Sequence, residues 1–310
     1  MKLTQKALSP LQRVLIYGPP KTGKTELVGK LAEFKNLIWF DLERGYATLL
    51  KLPEEWKERI EIISLPDTRS FPIAIETCLK VIKGGKVKIC EEHGKVSCPT
   101  CAKAGKESVE VELNALDQDT VVVFDSLTQL TASAIAHITQ GKPDDYKLDY
   151  SDWGNLGKLM EIFLSHIQQA NYNVVCISHE TEAELEDGKV KLVPVAGTRA
   201  FSRNTAKYFD HVVYAEVKNK KHNFYSSTTS ANNLNTGSRT GISLESITGS
   251  PLIALFTSIG QTNVSTTVST AAPQATQSDA GSAPQNSGNA AATTKLTGIL
   301  AGINAKKAVA

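Results

Sequence analysis

The stretch RVLIYGPPKTGKTELVGKLAEF, residues 13–34, decides the fold. RVLIY is a short apolar run of strand length. Gly18-Pro19-Pro20-Lys21-Thr22-Gly23-Lys24-Thr25 then fits G-x-x-x-x-G-K-[ST], the phosphate-binding loop, and an amphipathic helical pattern follows it. The spacing has a mechanical reason. Glycines let successive backbone N–H groups turn inward on phosphates, ahead of a helix start. Lys24 is expected to reach the β- and γ-phosphates of ATP, and the Thr25 hydroxyl to ligate Mg²⁺.

Working outward, three more apolar runs end in polar residues. NLIWF (36–40) closes on Asp41-Leu42-Glu43-Arg44-Gly45. A carboxylate at a strand end beside a phosphate loop can orient an attacking water; Glu43 is the candidate base, with Asp41 the second choice. TVVVFDS (120–126) is a buried-strand run closing on Asp125, the pattern of a residue that holds Mg²⁺ through water. NVVCISHETE (173–182) brings Ser178 and His179 to a strand end, where His179 can sense the γ-phosphate. Between these runs, Leu156, Leu159, Met160, Phe163, Leu164 and Ile167 recur at helical spacing and mark a core-facing crossover helix. Strand and helix thus alternate, which predicts an α/β fold with a mostly parallel sheet and function at the carboxyl ends of its strands.

Composition sets the outer bounds. The chain has 310 residues, 41% hydrophobic and 21% charged, with a net charge of +2, so any nucleic-acid surface must be a local patch. The N-terminus has no apolar signal-like run and no stretch is long enough to span a bilayer, so a cytoplasmic location is expected, without disulfides. Residues 1–259 read as the folded core. Residues 260–292, Ser/Thr/Ala/Gln/Asn/Gly-rich, read as a disordered linker. In 293–310, Leu296, Ile299, Leu300 and Ile303 share one face of a short helix, either a frayed tail or a tethered docking peptide for a partner protein such as a single-strand-binding protein.

One segment interrupts the α/β order. The helical pattern of residues 72–84 should feed the Asp125 strand directly, but residues 84–118 intervene and carry Cys90-x2-His93-x4-Cys98-x2-Cys101. Two close ligand pairs in a segment too small and polar for its own core predict structural, four-coordinate Zn²⁺, with His93 the least certain ligand. The lysines around the cluster suit nucleic acid, a solvated surface or a protein-docking knob. Cys78 and Cys176 fall on a helix face and in mid-strand, and read as core.

In this order the motifs resemble the RecA-like recombination ATPases over roughly residues 12–258, in particular the compact RecA-core proteins that bacteriophages use in single-strand annealing and recombination. The resemblance rests on GPPKTGKTELVGKL, LIWFDLERGYATL, FDSLTQL and the run from residue 173 to 217. It implies a RecA-like core in a ring or filament of identical subunits, in the cytoplasm of a bacterial host if the chain is phage-encoded. Lys24, Thr25 and Asp125 would bind MgATP, Glu43 would be the base, and His179 would sit at a sensor position usually held by Gln or Asn. Arg239, in NTGSRTG (235–241), would be a finger acting on the neighbouring subunit's ATP, ahead of Lys218, Lys220 and Lys221, which look like a solvated turn. Two loops, 137–154 and 180–197, would contact single-stranded DNA. Tyr146, Tyr150 and Trp153 offer stacking platforms in the first, while the acidic residues of both argue against strong binding. The leading expectation is a DNA-stimulated ATPase of recombination or annealing. The alternatives are a helicase-like or helicase-loading motor and a nucleotide-gated protein-interaction module.

Overall fold

Alternation along the buried strands builds a sheet covered on both faces. In the first strand Val14 and Ile16 face one side, and Leu15 and Tyr17 the other. All four are fully buried, which suits a strand packed on both faces. The computed structural model describes residues 11–68, 70–184, 188–227, 233–239 and 251–257.

In chain order the elements are β1 (Arg13–Gly18), α1 (Lys24–Gly29), β2 (Asn36–Asp41), α2 (Glu54–Lys57), β3 (Ile60–Ser64) and α3 (Ile73–Ile82). Then come β4 (Val87–Cys90), α4 (Pro99–Lys103), β5 (Ser108–Val111), β6 (Thr120–Asp125), α5 (Leu127–Ile138) and α6 (Tyr150–Gln168). The described chain ends with β7 (Asn173–Glu184), β8 (Val190–Pro194), α7 (Arg199–Asn204), β9 (His211–Lys218), β10 (Lys221–Tyr225), β11 (Gly237–Ser238) and α8 (Pro251–Thr257).

The main sheet runs β10-β9-β1-β7-β6-β2-β3. All neighbours from β9 to β3 pair in parallel, and β10 closes one edge antiparallel. The predicted α/β class and mostly parallel sheet are therefore present. Strand β3 was not anticipated from the sequence. Its IEIIS is only half-buried, so it lacks the continuous apolar run of the central strands.

One face packs against α3, α5 and α6, where Phe40 and Phe124 stack 5.0 Å apart and Phe163 meets Phe124 edge-on at 5.1 Å. Phe163 belongs to the helical stripe read from the sequence; Leu156, Met160, Leu164 and Ile167 are buried with it. The other face packs against α1 and α8 through Val14, Ile16, Trp39, Val123, Leu252 and Leu255. Burying each large apolar side chain stabilises the fold by about 1.5–3 kcal/mol.

The segment 84–118 stands outside the main sheet as its own β4–β5 pair, with α4 between them in sequence. It is pinned to the core at Gly94. The Thr77 hydroxyl donates to the Gly94 carbonyl at 2.7 Å, and a Cβ on Gly94 would lie 2.7 Å from the Ser64 carbonyl oxygen. With φ at +63° as well, the position requires glycine.

The stretch 180–197, expected as a DNA-contacting loop, is largely a hairpin. Glu180–Glu184 and Val190–Pro194 form an antiparallel ladder that extends β7 beyond the sheet, with residues 185–187 outside the described set. Ala183 and Val193 are buried, and the Tyr17 hydroxyl donates to the Leu192 carbonyl at 3.1 Å, which ties the hairpin to β1. The linker 260–292 and the peptide 293–310 also lie outside the described residues.

Candidate active site

Strand register brings the sequence-predicted groups to one end of the sheet. Gly18 pairs with His179, and Asp41 with Asp125, all at carboxyl ends. Gly18 passes so close to β9 that a Cβ would lie 2.1 Å from the Ala215 carbonyl oxygen, so only glycine lets the loop leave β1 here. Lys21 and Gly23 both take left-handed conformations, at φ +64° and +82°, and carry the chain into α1.

Lys24 is buried under this loop. Its ammonium donates to the carbonyls of Gly18 at 3.0 Å and Pro19 at 2.6 Å. Burial lowers its pKa to about 8, against the pull of Asp125 and Glu43. The group is thus positioned and desolvated where phosphate oxygens can replace the two carbonyls.

Beside it, the Thr25 hydroxyl donates to Asp125 Oδ2 at 3.0 Å. Burial, with Glu43 and Asp41 nearby, raises the Asp125 pKa to about 7. A buried carboxylate destabilised in this way, in contact with a hydroxyl, suits a divalent cation, and Thr25 with Asp125 would hold Mg²⁺.

Glu43, two residues past the end of β2, reaches Ser126 after β6 and His179 of β7. It accepts from the Ser126 hydroxyl, and its Oε1 lies 3.5 Å from His179 Nε2. Burial opposes its charge, but the His179 and Ser126 interactions outweigh that and hold its carboxyl below the ordinary range. It is therefore ionised at neutral pH, as a base must be. Asp41, the second choice, has another task. It is fully buried and accepts from the Gly45 backbone N–H at 2.9 Å, bracing the turn that presents Glu43.

The backbone of His179 is held on both sides. Its N–H donates to Thr128 Oγ1 at 2.8 Å, and its carbonyl accepts from Val195 N at 2.9 Å. Ser178 is buried and donates to the Val195 carbonyl at 2.8 Å, so it acts as a brace. A side chain that touches Glu43 is thereby linked to the base of the β7–β8 hairpin.

Lys24, Thr25, Glu43, Asp125 and His179 line one cleft of about 490 Å³ with Pro20, Lys21, Thr22, Gly23 and Ile177. Pro19 contributes its carbonyl to Lys24. Residues 11–241, more than half of the chain, match the family described as AAA domain. The chain belongs to that family. This AAA domain is a nucleotide-binding P-loop ATPase domain, in keeping with its loop and cleft. Among solved structures it is similar to an ATPase from the type III secretion system of pathogenic bacteria, at 15% identity and a TM-score of 0.36. That similarity covers 66% of this chain and 52% of the other, so the chain spans about half of that protein's length. No curated protein matches this chain at a significant level.

Further cleft residues escaped the sequence reading, Glu26 of α1 among them. Thr48 and Lys51 reach it from the 3₁₀ turn Tyr46–Lys51 after Glu43, and His222 reaches it from β10. Ser126, which touches Glu43, was passed over as the residue after Asp125. The only sequence signal was its place as N-cap of α5, where its oxygen accepts from Gln129 N.

The insertion assembles its predicted ligands. Cys90, His93, Cys98 and Cys101 offer ligand atoms that all lie within 4.8 Å of one another. His93 Nδ1 is 3.2, 3.7 and 3.9 Å from the sulfurs of Cys101, Cys98 and Cys90. Those separations are close to the edges of a tetrahedron with Zn–S of about 2.3 Å and Zn–N of about 2.0 Å. The three thiols are buried, and the Cys101 backbone N–H, facing Cys98, holds that thiol down at about 7. The cluster fits structural zinc, His93 included. Cys78 and Cys176 are buried elsewhere, and burial pushes both thiols up.

Arg239 is not brought to the cleft. It follows β11, which pairs with His211 and Val212 at the amino end of β9. There it contacts Asp210 at 3.5 Å and donates to the Lys207 carbonyl at 2.8 Å. In the 137–154 stretch Tyr150 is 95% and Trp153 44% exposed, whereas Tyr146 is engaged. Its hydroxyl donates to Asp152 at 2.6 Å and Lys142 covers its ring. Asp149 and Asp152 form the capping box of α6, which gives two of the aspartates there a structural role. Among the described residues no helix is long and apolar enough to cross a membrane.

Proposed function

We propose that this AAA domain hydrolyses MgATP, with Glu43 as the base. The observation that carries this is the placement of an ionised Glu43 across the cleft from buried Lys24, with Asp125 and His179 beside it. Glu43 takes a proton from water as the water oxygen attacks the γ-phosphorus and the bond to the β–γ bridging oxygen breaks. Lys24 neutralises charge on the departing ADP, and the proton leaves with inorganic phosphate. Mg²⁺ held at Thr25 and Asp125 would neutralise part of the triphosphate charge.

The reading extends to a recombination or annealing role on single-stranded DNA. Support comes from Tyr150 and Trp153, aromatics exposed at the start of α6 where bases can stack. It also extends to a homo-oligomer. Arg239 lies at the amino ends of the strands while the cleft lies at the carboxyl ends, so a head-to-tail contact would bring one subunit's Arg239 to its neighbour's ATP.

The test is phosphate release by wild type, Glu43→Gln and Tyr150→Ala/Trp153→Ala, each with and without single-stranded DNA. Turnover stimulated by DNA, abolished by Glu43→Gln and uncoupled from DNA by the aromatic double variant, is expected. Background turnover under all conditions would reject hydrolysis and favour a nucleotide-gated interaction module.

A further inference from the structure

The cleft has two walls on opposite sides of β1. Glu43, Asp125 and His179 come from β2, β6 and β7 or just beyond them, all on one side in the sheet order. Across β1, beyond β9, the edge strand β10 supplies His222. A tight turn with φ of +53° and +61° at Asn219 and Lys220 folds β10 back along β9, and His222 then pairs with Val217.

The His222 ring is fixed on the phosphate loop itself. Its Nδ1 lies 2.9 Å from the Thr22 carbonyl, an acceptor, so Nδ1 carries the proton and donates. The ring lies over Gly23, where an added Cβ would come within 3.0 Å of Nδ1 and 3.2 Å of Cε1. Rotamer and tautomer are both set, and the exposed remainder of the ring borders the cleft.

The proposed placement of the phosphates sets a direction for the rest of the nucleotide. With its terminal phosphate between Lys24 and Glu43, its sugar and base extend away from the wall built by β7, β6 and β2. That direction leads over Thr22 and Gly23 to the β10 edge. We infer that His222 is a nucleoside-binding residue, its ring seated on the phosphate loop and packed against the base or ribose of the bound nucleotide. An aromatic face preset by the Thr22 bond binds a base with little loss of side-chain freedom.

The inference rests on nucleotide binding in this cleft, and the experiment separates the two. Affinities for ATP, ADP and inorganic tripolyphosphate are measured by calorimetry on the full chain and on His222→Ala and His222→Asn. Asn can place an amide N–H where Nδ1 was and keep the Thr22 bond, but it lacks the ring. Both variants are expected to bind ATP and ADP about tenfold more weakly, within the range of base–aromatic stacking. Tripolyphosphate, which has no nucleoside, should bind all three proteins equally, and that also shows the variant loops to be intact. If Ala weakens all three ligands together and Asn restores them, His222 is only a strut for the loop and the inference is overturned. Unchanged ATP affinity in both variants overturns it as well. Failure of wild type to bind ATP would instead overturn the nucleotide site itself.

Discussion

His179 Nε2 lies 3.5 Å from Glu43 Oε1, although β7 and β2 are separated in the sheet by β6. The gap is bridged from β6, whose following residue Ser126 donates to the same Glu43 oxygen while its own oxygen caps α5. Glu43, His179 and the start of α5 are therefore linked through one set of contacts, and in the proposed mechanism a change at the γ-phosphate that shifts His179 would act directly on Glu43.

Glu43→Gln keeps the size and loses the charge, so kcat should fall by about 10²–10⁴ while ATP affinity is retained. His179→Ala should act differently. His179 is among the groups that hold the Glu43 carboxyl low against burial, so its loss raises that pKa. The acidic limb of the kcat–pH profile should move to higher pH. A limb that stays in place would show that His179 does not tune the base.

Lys24 has a pKa of about 8 without nucleotide, because it is buried. A bound triphosphate favours the charged form and raises that value. Binding above pH 8 must then take up a proton, and affinity should fall by up to about tenfold per pH unit above it. Calorimetry in two buffers of different ionisation enthalpy should show uptake approaching one proton at pH 9 and little at pH 7.

Zinc should hold more than its own segment. The metal-binding turn is fastened to the core through Gly94, with Thr77 on one side and Ser64 on the other. Removal of metal by a chelator, or Cys98→Ser, should release one zinc per chain and lower Tm, by about 2–4 °C for each kcal/mol lost. Hydrogen exchange should quicken in α3 as well as in β4 and β5. Exchange that quickens in residues 84–118 alone would show the segment to be energetically separate.

His211 should make stability pH-dependent. It is buried, with Nε2 2.8 Å from Gln12 Oε1 and Nδ1 2.9 Å from Ser238 Oγ, and it ties β9 to β11 and to the residue before β1. Burial lowers its pKa in the fold, partly opposed by Asp210. The unfolded chain, with histidine near 6.5, then binds the proton more tightly. The contribution is complete above that value and is lost as pH falls below it, by at most about 1.4 kcal/mol per pH unit. Between pH 7.5 and 5.5, Tm should fall less steeply in His211→Gln than in wild type.

What the sequence by itself determined is what short-range pattern can carry. The phosphate-loop spacing, the apolar runs ending at Glu43, Asp125 and His179, the helical stripe through Phe163 and the two ligand pairs Cys90/His93 and Cys98/Cys101 each lie within a few turns of chain. Their meaning does not depend on where distant strands go. Tertiary structure alone decided the rest. His222 meets Thr22 across 200 positions, and His211 meets Gln12 across 199. Ser126 meets Glu43 across 83, and Arg239 is carried to the amino ends of the strands. Strand order and register set these meetings, and both follow from how whole faces pack, which no local spacing of residues encodes.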